Sequence, residues 1–103
     1  MTLAEILDEA AAGLEPLERL ATATGAQWRR DGRPFAVLAG VRAEFRLAPI
    51  VGRAALGTPD TFHSDRGSDW IAFEPRDLDR ASVDRAAAWF ASAWRHALEQ
   101  TAD

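Results

Sequence analysis

The sequence predicts an α+β fold, an antiparallel sheet of about five strands with N- and C-terminal helices packed on one face. Apolar residues recur at helical spacing near both ends of the chain, whereas the middle consists of short runs bounded by Gly, Pro and Asp. Only one short helix is expected between the strands, which favours antiparallel pairing. A length of 103 residues predicts one domain, residues 1–103.

The N-terminal region predicts two helical segments. Apolar side chains three and four positions apart predict a helix over residues 2–12. Gly13 and Pro16 interrupt the pattern, because proline cannot donate a backbone hydrogen bond and clashes with the preceding turn. A second helical segment is therefore predicted from about residue 15 to 23, ending near Gly25.

Short strands are predicted through the middle of the chain. Residues 27–30 and 35–39 form a hairpin, and residues 41–47 alternate apolar and charged side chains without exception. That alternation predicts a strand with one buried face and one solvated face. Residues 62–64 and 70–73 predict a second hairpin.

Two further helices are predicted, one short and one long. Pro49 is suited to begin a short helix that Gly57 ends. Ser82 is a suitable N-cap for a final helix that runs to about residue 100. Its predicted buried stripe is Val83, Ala87, Phe90, Trp94 and Ala97.

Composition narrows the class of protein. The absence of cysteine excludes disulfides, a thiolate nucleophile and any zinc site that needs sulfur. No leader-like start and no run of 18 apolar residues occurs, so we expect a cytoplasmic protein with no membrane partner. The net charge is −4, but residues 26–56 hold six arginines and two acids and form a basic island.

Several motifs resemble the MmcQ/YjbR-like family of small bacterial proteins. Arg33 to Leu38 is similar to its basic residue followed by Phe-Ala-x-Leu, and Glu44 to Pro49 resembles its strand that ends before a helix-starting proline. Asp69 to Phe73 is similar to its Trp-Val-x-Val strand, and Trp89 to Ala97 resembles its closing helix. The resemblance covers roughly residues 26–98 and implies a CyaY-like fold. It also implies DNA binding, which has been suggested for relatives.

The solvated face of the predicted sheet is the first candidate site. Arginines beside tryptophans suit phosphate contacts together with base stacking, so this face predicts nucleic acid binding. The alternative is that the tryptophans belong to the core and the arginines keep the face soluble. The candidate residues are Trp28, Arg30, Arg42, Arg46 and Trp70.

The final helix is the second candidate. Trp89 and Ala93 lie on an apolar line beside the predicted core stripe, and a large aromatic among small residues suits contact with a second helix. This arrangement predicts a homodimer interface. The alternative is one broad stripe buried within its own domain.

Enzyme signatures are few. His63 with Asp65, Asp69 and Glu74 offers acid, base or metal-binding groups, but no spacing forces these groups together, so a solvated polar hairpin is the simpler interpretation. No catalytic residue, metal site or cofactor is predicted. The sequence favours a non-enzymatic binding module, with a homodimeric interaction domain or a small-molecule enzyme as alternatives.

Overall fold

A six-stranded antiparallel sheet forms one layer of the structure, and three helices accompany it. The computed structural model describes residues 1–101, and the side-chain contacts below lie within residues 1–99. The strand order across the sheet is β1-β2-β3-β4-β6-β5. The elements are α1 (Leu3–Ala12), β1 (Glu18–Ala21), β2 (Gly25–Arg30), β3 (Arg33–Ala39), β4 (Arg42–Arg46), α2 (Pro49–Leu56), β5 (Thr61–His63), β6 (Trp70–Phe73) and α3 (Arg80–Thr101). The predicted α+β class is confirmed, with one strand more than predicted.

Helix α3 is fixed to the sheet by two adjacent aromatic residues. Phe90 is fully buried, and its ring meets those of Trp28 and Phe35 nearly edge-on, with centroids 5.3 and 5.2 Å away. Trp89 meets Phe73 in the same manner at 5.1 Å. Edge-to-face aromatic pairs each contribute about 0.5 to 1.5 kcal/mol beyond the burial of their area. These contacts set the position of α3 across strands β2, β3 and β6.

The start and the buried stripe of α3 differ in detail from the prediction. Asp79, rather than Ser82, caps the helix, because its Oδ1 accepts the backbone N–H of Ser82 at 2.9 Å. Phe90 and Ala97 are buried as predicted, whereas Trp94 is only partly buried. The stripe is therefore rotated toward Trp89.

The prediction of a helix over residues 15–23 is wrong, because this segment contains strand β1, which pairs with β2. The N–H of Thr22 donates to the carbonyl of Gly25 at 3.1 Å and closes the β1–β2 turn. Gly25 begins β2 rather than ending a helix. A Cβ atom there would lie 2.2 Å from the carbonyl oxygen of Leu38, so glycine allows β3 to approach.

Long-range contacts hold the edge strand β1 and the segment before it. The Arg19 guanidinium bonds to Asp8 of α1 at 2.8 Å. The Trp94 indole N–H donates to the carbonyl of Pro16 at 2.9 Å, which ties the segment before β1 to α3. All four side chains of β1 are exposed, so its sequence carries no alternation that predicts a strand.

The other two helices are confirmed. Helix α1 has a capping box in which Thr2 Oγ1 accepts the N–H of Glu5 and the Glu5 carboxylate accepts the N–H of Thr2. Helix α2 begins at Pro49 and ends before Gly57. Within residues 1–101, no helix combines the length and the apolar character needed to cross a bilayer.

We predict that Gly25→Ala destabilises the fold by about 1 to 3 kcal/mol, because the added methyl group forces the β2 and β3 backbones apart. Urea unfolding measures the change. Gly13→Ala is the control, since a methyl group at Gly13 meets no atom within 4 Å. Equal stability of the two variants would contradict the close approach of Leu38 to Gly25.

Candidate functional site

Two of the five residues expected on the solvated face lie beneath the helices instead. Trp28 is fully buried against Phe90. Arg30 is 7% exposed, its guanidinium lies 3.6 Å from the ring centroid of Trp94, and Nη1 donates to the Trp94 carbonyl at 3.0 Å. Arg30 lies two positions from Trp28 and so shares its face. The core position of Trp28 therefore directs a charged side chain inward.

The other three residues, Arg42, Arg46 and Trp70, lie on the open face, meaning the sheet face opposite the helices. Arg42 Nε lies 2.7 Å from Glu74 Oε1, and Arg46 Nε lies 2.6 Å from Asp69 Oδ2. Trp70 is only 9% exposed. The guanidinium groups expected to be available for phosphates are therefore each paired with a local carboxylate.

The β5–β6 loop covers part of the open face. Ser64 Oγ donates to Glu44 Oε2, and Arg66 Nε lies 3.2 Å from Glu44 Oε1. These contacts leave Glu44 only 5% exposed. The guanidinium of Arg66 also lies 5.8 Å from the ring centroid of Trp70. The loop thus encloses the aromatic surface on which bases were expected to stack.

These contacts reduce the support for nucleic acid binding at the open face. Phosphate binding depends on cationic groups that neutralise the backbone charge, and ion pairs within the protein compete with it. The net charge of −4 acts in the same direction. Nucleic acid binding stays a prediction, which a fluorescence titration at low salt tests.

The residues expected at a dimer interface lie inside the protein. Trp89 packs against Phe73 and is 8% exposed, and Ala93 is fully buried. The apolar line that contains Trp89 and Ala93 was thus assigned to the wrong surface. The sheet covers more of the circumference of α3 than the predicted spacing implied. Homodimerisation itself stays a prediction and would need a different surface.

A cleft lies between helix α2 and the β5–β6 hairpin, and we call it the α2 cleft. Its volume is about 220 Å³. Gly52 leaves room at the floor, because a methyl group there would come within 3.5 Å of the Ile71 side chain. The apolar lining consists of Leu47, Pro49, Gly52, Leu56 and Ile71.

Polar side chains surround this apolar floor. Arg53 extends from α2, while His63 and Ser68 belong to the hairpin. All three residues are exposed, and within the described part of the chain none of their side chains has a hydrogen bond or ion pair. The α2 cleft thus combines an apolar floor with available donors, the composition typical of small-ligand sites.

Asp69 adds a negative charge to the same cleft. Burial alone raises the pKa of Asp69, but the hydrogen bond from Arg46, a bond to its own backbone and the charges of Arg46 and His96 outweigh burial and lower it. Its carbonyl accepts the N–H of Leu47 at 2.9 Å, which fixes the backbone beside β4. Asp69 is therefore held in place as a carboxylate.

The sequence identified only part of the α2 cleft. It grouped His63 with Asp69, which the structure brings to one cleft, and with Glu74, which instead pairs with Arg42. It did not single out Arg53. The sequence signal that could have indicated the cleft is Gly52, since a glycine inside a short helix lowers helix stability and so suggests a role other than helix formation.

The described residues contain no group of three or more His, Cys, Asp or Glu side chains arranged to hold a metal ion.

We predict that Asp69→Asn destabilises the protein at neutral pH by about 0.2 to 1 kcal/mol, the range measured for exposed ion pairs. A lowered pKa in the folded state means that ionised Asp69 stabilises the fold at neutral pH. That contribution is lost as the pH falls below the ordinary pKa of an aspartate, about 4, and through the lowered pKa of Asp69. Urea unfolding at several pH values should show the difference between variant and wild type shrinking in acid.

The control for this prediction is a double-mutant cycle with Arg46→Met. When the Arg46 guanidinium is absent, Asp69→Asn should have a smaller effect that depends less on pH. An unchanged, pH-independent effect would contradict the role of this ion pair.

No family model, no curated protein and no solved structure matches this chain. The similarity to the MmcQ/YjbR-like family therefore stays a prediction from the sequence motifs.

Proposed function

We propose that this protein is a non-enzymatic binding module that takes a small organic anion with an apolar body into the α2 cleft. The observation that carries the proposal is the position of Arg53 and His63 beside the apolar floor, with no hydrogen-bond or ion-pair partner for either side chain within the described part of the chain. A guanidinium is a strong donor to carboxylates, and an imidazole adds a further donor or acceptor.

The volume of the α2 cleft limits the size of the ligand. Pockets for drug-sized ligands have volumes of about 300 to 1,000 Å³. At about 220 Å³, the α2 cleft suits a smaller molecule. The floor residues Leu56 and Ile71 would contact its apolar part, and Arg53 its anionic group.

A binding role is favoured over catalysis by the contacts of the polar residues. Nucleophilic catalysis needs a base hydrogen-bonded to the nucleophile and a third group that orients the base. Within residues 1–99, no hydrogen bond joins His63 to Ser68 or to Asp69. The carboxylate of Asp69 is instead bound to Arg46.

The main experiment is an NMR titration with 4-methylpentanoate as the probe. Amide shifts should concentrate at α2 and residues 63–71. We predict that Arg53→Met weakens binding at least about threefold, because it removes the cation while keeping the aliphatic stem. Arg80→Met is the control, since it removes another exposed arginine, at the start of α3 and outside the cleft. Absent shifts, or equal losses in both variants, would overturn the proposal.

A second variant separates the effect on ligand affinity from the effect on protein stability. Gly52→Ala places a methyl group in ordinary contact with Ile71 and Leu47, at 3.5 Å or more. We predict that it raises the free energy of unfolding by about 0.5 to 1 kcal/mol, because alanine is the better helix former. The same methyl group occupies the floor of the cleft, so affinity for 4-methylpentanoate should fall. A variant that is more stable but binds equally well would argue against this cleft.

A further inference from the structure

The walls of the α2 cleft carry opposite charges. Arg53 extends from α2, whereas Asp69 precedes β6 on the hairpin side. A simple anion would use Arg53 but would leave the negative charge of Asp69, another lining residue, without a counterpart in the ligand. A ligand that carries both charges would match both walls.

We propose that the ligand of the α2 cleft is a zwitterion, an amino acid with an apolar side chain. The inference rests on the proposed function, because it names the ligand class of the same cleft. The carboxylate of the ligand meets Arg53, its ammonium group meets Asp69, and its side chain lies on the floor formed by Leu56 and Ile71.

The bonding of Asp69 is compatible with this role. Arg46 holds Oδ2 at 2.6 Å and thereby positions the carboxylate from the open face of the sheet. The side chain of Asp69 is 29% exposed, so it is not enclosed by this contact. This carboxylate is the group assigned to the ammonium of the ligand.

The opposite signs of the two lining charges, Arg53 and Asp69, also favour a zwitterion. Transfer of a single charge into a partly apolar cleft carries a desolvation cost that an opposite charge nearby offsets. Each partly exposed ion pair contributes only a modest free energy. The preference for a zwitterion over a singly charged analogue is therefore expected to be measurable but moderate.

Three probes with the same branched apolar body test the inference on the unchanged protein. They are L-leucine, 4-methylpentanoate, which lacks the amine, and 3-methylbutylamine, which lacks the carboxylate. NMR titrations at neutral pH should show L-leucine binding about 2- to 5-fold more tightly than either analogue. The comparison needs no variant and so does not depend on whether a variant folds.

Variants then assign each charge to its partner. Asp69→Asn should remove the advantage of L-leucine over 4-methylpentanoate. Arg53→Met should remove the advantage of L-leucine over 3-methylbutylamine. Glu74→Gln is the control for Asp69, because it removes the carboxylate of another ion pair on the open face, outside the cleft, and it should keep the full preference for L-leucine.

Each outcome of the probe series is decisive. Binding of 4-methylpentanoate as tightly as L-leucine would overturn the zwitterion and leave the anion-binding function standing. If 3-methylbutylamine bound most tightly, both the zwitterion inference and the anion-binding function would be overturned. The absence of shifts at the cleft residues with all three probes would overturn both as well.

Discussion

The structure depends most on the packing of Trp89 and Phe90 of α3 against the sheet. Phe90 lies between Trp28 and Phe35, and Trp89 lies against Phe73, so two neighbouring residues contact strands from both halves of the sheet. Because these rings come from distant parts of the chain, their contacts define which sheet face is covered. The orientation of every strand residue follows from that choice.

One consequence concerns the positions of the arginines in the basic island, residues 26–56. With Trp28 fixed in the core, Arg30 follows it inward and stacks on Trp94. On the opposite face, Arg42 and Arg46 pair with Glu74 and Asp69, acids that lie outside the basic island in sequence. The excess of positive charge in one stretch of sequence is therefore partly balanced in space. The charge of a stretch of sequence gives the charge of a surface only when the acidic residues that fold onto that surface are also known.

A second consequence is the α2 cleft at the β6 side of the sheet. Gly52 and Ile71 form an apolar floor, while the β5–β6 loop is held to the open face through Glu44. Arg46 extends this support to Asp69, which borders the cleft. The ion pairs of the open face thus position the hairpin that forms one wall. These ion pairs thereby contribute to the shape of the cleft.

Local sequence patterns determined the elements that carry their own signals. The spacing in α1, the alternation in β4, the Pro49 start of α2 and the length of α3 could all be predicted, because side-chain period and caps act within a few residues. Tertiary structure alone decided the rest: the strand state of the fully exposed β1, the inward position of Arg30, and the meeting of Arg53 with Asp69 at one cleft. Periodicity shows which side of an element is apolar. It contains no information on which distant backbone, ring or carboxylate that side will meet.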